Sequence, residues 1–471
     1  MQRLIPEELA RILADTKELR RAYLVGGCVR DWLLDRPIRD FDIEVFGVDH
    51  QRLARALSPW GRADFVGRSF GVLKLTTASG STFDFSIPRH GGDGGRDAIG
   101  STGSAVAPDA DSDSGMRQAA ARRDFTINAL SFDPRRMRIL DFFGGEADLR
   151  NGVLRHTSDA FTEDPLRVLR GMQLAARFAL RTAPETLQLC RRMVATYGEL
   201  PVERVWGEWF KWAADAVAPS RGLRHLADCG WIAHFPEIRA LQDTPQDQEW
   251  HPEGDVFVHT CHCLDALAEL PEWQKEDAFA RAVLSFAVLA HDFGKPQTTH
   301  AALRSGRTRI LSPGHEEAGG PLAQQFLRRL GAPAAVEARV VPLVINHLAH
   351  LRMLTDRAVR RLARRLEPAS IQELMILITA DAYGRPPSPK VVPEGLLTLK
   401  RLATESAVAR GAPRPILMGR HLLELGLSPG KSFGVILAAA YEAQLEGAFA
   451  DLPEALAWLR QRHDLQGIAR E

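Results

Sequence analysis

The sequence of 471 residues has little cysteine and tyrosine, five and four residues respectively, and no uninterrupted apolar run long enough to span a bilayer. Five scattered thiols, an odd number, argue against a disulfide framework and for a reducing, cytoplasmic setting. A surplus of one charge sign is also missing: 60 Lys and Arg face 59 Asp and Glu, for a net charge of +1. There is thus no chain-wide basic field, and any nucleic acid must be held by local patches. The first twenty residues are charged and amphipathic, with no apolar core before a cleavage site, so a secretory signal is not expected. No internal repeat is evident. What is present, 45% hydrophobic and 25% charged residues over this length, describes a soluble globular chain of two to four domains.

The pattern changes along the chain. Leu24-Val25, Phe41 to Phe46, Val72 to Thr77, Thr82 to Ile87 and Ile139 to Phe143 are strand candidates. Between them, Gly91 to Gly115 is rich in Gly, Ser, Ala and Asp and reads as a mobile loop, because it has few apolar side chains to offset ordering entropy. From Pro165 onward the sequence reads as successive helices, including Leu166 to Phe178, Pro184 to Ala195, Val202 to Ala214 and Arg221 to Cys229, with no further strand of comparable quality. Linkers are expected around Trp250 to Gly254 and from Gly384 to Pro393.

The run Tyr23-Leu-Val-Gly-Gly-Cys-Val-Arg-Asp31 reads as strand, glycine turn and helix. Gly26 and Gly27 allow close backbone approach to a phosphate at a helix N-terminus, and Arg30 lies one turn further on. Alone, this pair of glycines is equally consistent with a plain tight turn. Asp40 and Asp42 follow at a spacing that puts both carboxylates on one face of a strand. Paired carboxylates with substrate phosphates suit Mg²⁺, the alternative being two surface aspartates on an edge strand.

These residues, as Val-Gly-Gly-Cys-Val-Arg-Asp-Trp-Leu-Leu-Asp followed by Asp-Phe-Asp, resemble the head of bacterial tRNA nucleotidyltransferases, the CCA-adding enzymes, and their poly(A) polymerase relatives in the polymerase-β-like superfamily. Arg122-Arg-Asp-Phe-Thr-Ile-Asn-Ala-Leu130 resembles the family segment that holds triphosphate and ribose, which implies that role for Arg122 and Arg123. Glu163-Asp-Pro-Leu-Arg-Val-Leu-Arg170 resembles the segment that reads the incoming base, and Val202-Glu-Arg-Val-Trp206 a motif that follows it. On a helix, Asp164 and Arg167 would share a face. A carboxylate accepts from the exocyclic amine that cytosine and adenine both carry, and a guanidinium donates to ring nitrogen or carbonyl. The pair would thus accept CTP and ATP, with Arg170 continuing the face towards phosphate or ribose. Asp84 is a candidate third carboxylate, and Glu44 a neighbour of Asp42 that supports it from outside. The segment after Arg89 is longer than is usual in the family.

A second constellation comprises His259, His291-Asp292, His315, His347 and Asp381. Adjacent His-Asp with a remote His and Asp can form a mixed nitrogen–oxygen metal site with a water able to attack phosphate. The alternative is a helical bundle with satisfied histidines. The arrangement resembles the HD phosphohydrolase superfamily, which implies His259, His291, Asp292 and Asp381 as ligands of Ni²⁺, Mn²⁺ or a similar transition metal. His315 and His347 would be additional histidines for a second metal or for phosphate, and Lys295 a phosphate contact. Cys261, His262 and Cys263 lack the Cys-x-x-Cys spacing of zinc sites and read as core packing.

The resemblance implies an α+β protein. A polymerase-β-like nucleotidyltransferase head with a mixed sheet and helices (1–148) is followed by an all-α neck for nucleobase templating and tRNA binding (149–240). An HD phosphohydrolase-like domain (241–390) and a C-terminal helical tail (391–471) complete it. The order is similar to the gammaproteobacterial type of CCA-adding enzyme. It implies CCA addition to tRNA 3′ ends from CTP and ATP, Mg²⁺ at Asp40 and Asp42, the tRNA acceptor arm as partner, and no DNA or membrane partner. The HD domain is expected to hydrolyse 2′,3′-cyclic phosphates and 2′-phosphates. Poly(A) synthesis, partial CC or A addition, and a regulatory RNA- or nucleotide-binding role remain the alternatives, and the sequence does not specify an oligomeric state.

Overall fold

Alternation of buried and outward residues, the signature of a sheet covered on one face, runs through residues 42–45, 72–77 and 82–86. In the computed structural model, which describes residues 5–66, 71–88 and 113–462, seven strands form one sheet: β1 (Ala22–Val25), β2 (Asp42–Val45), β3 (Gly61–Val66), β4 (Val72–Thr77), β5 (Thr82–Ser86), β6 (Ser131–Asp133) and β7 (Arg138–Leu140). Their order is β3-β4-β5-β2-β1-β6-β7. Only β2 and β5 run parallel, with Asp42 beside Asp84, and the remaining pairs are antiparallel. Ile43, Val45, Leu73, Leu75, Phe83 and Phe85 point to one face. There they pack with Leu24 and with apolar residues of α1 (Glu7–Asp15), α2 (Gly27–Leu33) and α3 (His50–Leu57). The alternate residues Asp42, Glu44, Lys74 and Asp84 therefore project from the other face.

The chain divides into two compact units, Met1–Leu200 with Asp228–Trp231, and Pro201–Ala227 with Ile232–Glu471. The sheet unit also contains α4 (Asp113–Ala121), α5 (Gly145–Arg150), α6 (Leu166–Arg177) and α7 (Pro184–Arg192). A short parallel pair, β8 (Val153–Leu154) with β9 (Arg181–Thr182), brackets α6. The division falls inside the segment expected as a neck: residues 149–200 belong with the sheet, and 201–227 with the histidine-rich helices.

The second unit is built from helices α8 (Val202–Asp215), α9 (Pro219–Asp228), α10 (Pro236–Ala240), α11 (Val256–Glu269), α12 (Pro271–Gln274), α13 (Ala278–Ala290), α14 (Lys295–Thr298), α15 (His315–Arg329), α16 (Ala334–Asn346), α17 (Asp356–Leu366), α18 (Ile371–Tyr383) and α19 (Glu394–Glu405). Its core is aromatic: Trp209 and Trp212 of α8 meet edge to face, and Trp209 also contacts Phe235 and Phe326 in that way. The last helices, α20 (Gly419–Glu424), α21 (Lys431–Glu446) and α22 (Leu452–Gln461), gather around Leu422, Ile436, Phe449 and Leu459. Arg360 of α17 donates to the Leu445 carbonyl of α21, tying these helices to the rest of the unit. No described helix is long and apolar enough to cross a membrane.

The strand expectations for β1, β2, β4 and β5 agree with the structure; the one for Ile139 to Phe143 meets β7 only at Ile139 and Leu140, with 141–143 outside the strand, and β3 and β6 are additions. The region read as successive helices with no further strand of comparable quality carries the two-residue β9 and one hairpin, β10 (His300–Arg304) with β11 (Arg307–Leu311). Its strands are mostly exposed and so show no buried alternation. The turn Ser305-Gly306, with both residues at positive φ, is the local signal that marks it. Most of the segment expected as a mobile loop lies outside the described residues, and α4 begins at Asp113.

Ile43 is fully buried at the centre of the sheet. Ile43→Ala is expected to lower the stability of the sheet unit by about 2–5 kcal/mol. Amide hydrogen exchange on β1 and β2 measured with and without urea checks this, because protection there should fall while that of α13 is retained.

Candidate functional site

The first site lies on the polar face of the sheet. Asp42 opens β2, and Asp40 precedes the strand rather than lying on it. Crowding by the surrounding protein raises the Asp42 pKa; Arg123 opposes this, while Asp84, Asp40 and Glu44 reinforce it by like-charge repulsion. Four carboxylates therefore share one region. Glu44 is neutralised by Arg123 at 2.5 Å, and Asp84 lies 3.3 Å from the Lys74 ammonium, with its buried Oδ1 making no hydrogen bond. Asp40 and Asp42 carry no such cation in the structure's ion pairs among described residues. That residual negative charge is the chemistry a divalent cation fits.

Gly26 supplies the turn beside these carboxylates at φ +75°, a conformation that disfavours side chains. A Cβ there would meet Arg123 Nη1 at 2.7 Å, so the glycine also lets that guanidinium pack against the turn. The Gly26 N–H is already donated to the Leu130 carbonyl, 3.0 Å away. Arg30 does not extend outward. It is buried, its Nε and Nη2 donate to Asp31, its Nη1 donates to Asn128, and it lies 4.3 Å over the Phe178 ring. The structure thus gives Arg30 the work of fixing the turn.

The segment Arg122 to Asn128 links this turn to α6. Burial opposes ionisation of Asp124, but Arg170 Nε at 2.8 Å, the Asn128 amide and the Phe125 N–H outweigh it and lower the pKa. Arg122 pairs with Glu163 at 2.8 Å. Asp164 departs from the sequence expectation: it precedes α6 instead of lying on it, in extended conformation, and accepts from the Leu166 N–H. Pro165 is the cause, since the residue before a proline is disfavoured from the helical region. Arg167 is nonetheless near it, with Nη1 and Nη2 donating to the carbonyls of Ala160 and Arg122 at 2.6 Å each.

The second site lies within the helical unit. His259 on α11, His291 at the end of α13, Asp292, His315 at the start of α15, His347 at the end of α16 and Asp381 on α18 are all buried. The spacing between them in sequence is large, but the helices bring their polar ends to one place. Asp292 Oδ1 lies 3.3 Å from His315 Nε2 and its Oδ2 lies 3.1 Å from His291 Nε2. His259 Nε2 lies 3.2 Å from Asp381 Oδ1. Two groups can each hold an ion: His259, Cys263, His291 and Asp381, and Asp292, His315 and His347.

Orientation of the imidazoles carries the chemical information. In His291, His315 and His347 the Nδ1 atoms each lie 2.7 Å from a backbone carbonyl, of Val288, Ser312 and Val344. Nδ1 therefore carries the proton and Nε2 turns a lone pair inward. His315 and His347 face each other through Nε2 at 3.2 Å. Two lone pairs at that distance need a proton or a cation between them. Burial and the neighbouring His291 and His315 push the His347 pKa down to about 3, so it stays a neutral donor of electrons. His291 Nε2 and Asp292 Oδ2 are buried without an aligned hydrogen bond. Lys295 turns into this cluster, 2.8 Å from Asp292 Oδ2.

Three participants were not anticipated from sequence. Glu253 Oε1 lies 2.7 Å from His259 Nδ1 and 2.9 Å from His251 Nδ1, and these three form a further potential ligand group. Cys263, expected as core packing, joins His259 one helical turn away. The His-x₃-Cys spacing is the signal that could have identified it. Cys261 is buried outside these groups.

Comparison with known proteins agrees with both the sheet and the helical unit. Residues 22–155 match the Poly A polymerase head domain family. The Multifunctional CCA protein of Nitrosococcus oceani is 35% identical over 374 residues, 77% of this chain and 84% of that protein. That of Acidovorax sp. is 33% identical over 444 residues, 89% and 95% of the two chains. In fold, the Bacillus stearothermophilus CCA-adding enzyme in complex with CTP has a TM-score of 0.63 at 20% identity, covering 98% of this chain and 99% of that one. The Thermotoga maritima CCA-adding enzyme complexed with tRNA has a TM-score of 0.59 at 20% identity, covering 97% of each. With two sites on an α+β chain and a third of its residues shared along most of their length, the chain belongs to the multifunctional CCA protein family.

Proposed function

We propose that the sheet unit adds C, C and A to tRNA 3′ ends from CTP and ATP. The observation that carries this is the pair Asp40 and Asp42 beside Gly26, on a face where Glu44 and Asp84 already have cationic neighbours. The relatives' name and the CTP- and tRNA-bound fold neighbours support the same activity. Asp40 and Asp42 would hold Mg²⁺, which when bound favours the attacking hydroxyl and the leaving pyrophosphate. The chain's own residues supply orientation. Gly26 and Gly27 shape the floor, and Arg30 fixes it from behind. Arg122 and Arg123 line the approach for the triphosphate and sugar.

Base choice is assigned to Asp164 and Arg167. With Asp164 at the helix entrance rather than along the helix, its carboxylate meets the base from the α6 N-terminal end. A bound nucleotide would draw the Arg167 guanidinium from the Ala160 and Arg122 carbonyls onto the base edge. Arg170 acts differently: its bond to Asp124 anchors α6 to the Arg122–Asn128 segment. Arg181 and Arg192, both exposed, offer phosphate contacts for the tRNA acceptor arm.

The helical unit is proposed to be a metal-dependent phosphohydrolase acting on 2′,3′-cyclic phosphates and 2′-phosphates at RNA ends. Inward-facing Nε2 lone pairs beside the Asp292 carboxylate are the supporting observation. His259, His291, Asp292 and Asp381 would hold a transition metal, with His315 and His347 offering a second set. Such a metal, when bound, supplies an activated water. Residues 1–148, 149–240, 241–390 and 391–471 are proposed as head, neck, hydrolase-like domain and tail in functional terms.

Incubation of the purified chain with tRNA lacking its terminal CCA, with CTP and ATP singly and together, tests the first activity. A CC product with CTP alone and a single added A when both are present are expected. Growth of an ATP-only homopolymer would instead indicate a poly(A) polymerase. Arg167→Ala is expected to reduce the preference for CTP over UTP by roughly 1–3 kcal/mol, read from kcat/KM ratios. For the second activity, His291→Ala should lower hydrolysis of a 2′,3′-cyclic nucleotide by more than about 100-fold, since even outer-shell changes at metal sites cost roughly 10–100-fold. CCA addition should persist in that variant, and retention of hydrolysis would remove the metal assignment.

A further inference from the structure

Cys263 sits one turn beyond His259 on α11, and both are fully buried. Its Sγ is 3.3 Å from His259 Nε2, the ring nitrogen that faces the site, and 3.8 Å from the Asp381 backbone carbonyl. His259 Nδ1 is meanwhile engaged by Glu253 Oε1 at 2.7 Å, the outer-shell carboxylate arrangement that orients a ligating imidazole. Donor atoms from His259, Cys263, His291 and Asp381 all lie within 4.8 Å of one another. Independently of the thiol, the buried His291 Nε2 has no aligned hydrogen-bond partner and belongs to the same group. The backbone is also fitted to the sulfur: a Cβ on Gly384 would come within 2.3 Å of Cys263 Sγ.

We propose that Cys263 is a further metal ligand, contributing a thiolate beside His259, His291 and Asp381 and biasing the site towards Zn²⁺, Co²⁺ or similar cations over Mn²⁺ and Mg²⁺. The inference rests on the proposed metal role of that cluster. An imidazole–carboxylate set alone accepts manganese readily, whereas sulfur is a poor partner for hard cations. On coordination the sulfur–hydrogen bond is replaced by a sulfur–metal bond, the proton leaves to solvent, and no electron is transferred. Cys261 cannot share the role, because two residues turn the helix by about 200° and carry its side chain to another face.

The test is titration of the chelator-stripped full chain with Co²⁺, followed by near-ultraviolet absorption, where thiolate-to-cobalt charge transfer appears. Wild type is expected to show that band. Cys263→Ser should lose it while still binding Co²⁺ in a manner abolished by His291→Ala. In competition, Cys263→Ser should shift the Zn²⁺ over Mn²⁺ preference by roughly 10-fold or more towards Mn²⁺. His291-dependent binding to wild type without the band would overturn the assignment of Cys263 and leave the metal site standing. Absence of any His291-dependent Co²⁺ binding would overturn both. The wild-type spectrum decides the matter even where Cys263→Ser does not fold.

Discussion

Asp124 has to stay ionised inside the protein, and the sheet unit is organised around the groups that make this favourable. Arg170 reaches it from α6, and the Phe125 N–H and Asn128 amide reach it from its own segment. The Asn128 side-chain Oδ1 then accepts from Arg30, which lies on the helix after the Gly26 turn. One residue before Asp124, Arg123 compensates Glu44 on β2. Removing one member of a buried pair leaves an uncompensated charge, typically a loss of several kcal/mol. Turn, central strand and α6 are thus locked in mutual position by charges that cannot be separated cheaply. The carboxylates left over, Asp40 and Asp42, sit in a frame that is already rigid.

The helical unit uses the complementary device. Its histidines are fixed from behind by carbonyls and by Glu253, so their lone pairs cannot turn away from the cluster centre. Acceptors then confront acceptors: His315 faces His347, and His291 faces Asp292. In a protein interior such an arrangement holds together only with positive charge among the acceptors. The Lys295 ammonium supplies part of it, and Asp292 raises the His315 pKa against the opposing effect of burial. A cation able to bond several donors at once would satisfy more of them.

Much of the architecture was legible because its signals are local. Alternating apolar residues mark β2, β4 and β5, the short apolar run Leu24-Val25 marks β1, and the switch to helical periodicity after Pro165 marks the helices. The Gly-Gly turn and the Asp-x-Asp spacing named the first site's ingredients. Orientation was not legible, because it depends on partners distant in sequence. Arg30 turns inward only because Asn128 and Phe178 are there to receive it, and Arg167 lies on carbonyls 7 and 45 positions away. Asp164 lies outside the helix that its spacing to Arg167 suggests, although Pro165 beside it carries the necessary information. Cys263 has Cys261 as its neighbour in sequence, but its partner in space is His259. The exposed hairpin β10–β11 carries no alternation signal, because neither strand has a buried face.

Asp40 and Asp42, proposed to hold Mg²⁺, would then be required for nucleotidyl transfer itself and not merely for binding a nucleotide. The most direct measurement is incorporation of labelled CTP into tRNA lacking CCA by an Asp40→Ala, Asp42→Ala double variant, with tRNA affinity measured on the same preparation. Incorporation is expected to fall to background while tRNA binding is retained. Incorporation at the wild-type rate would contradict that requirement.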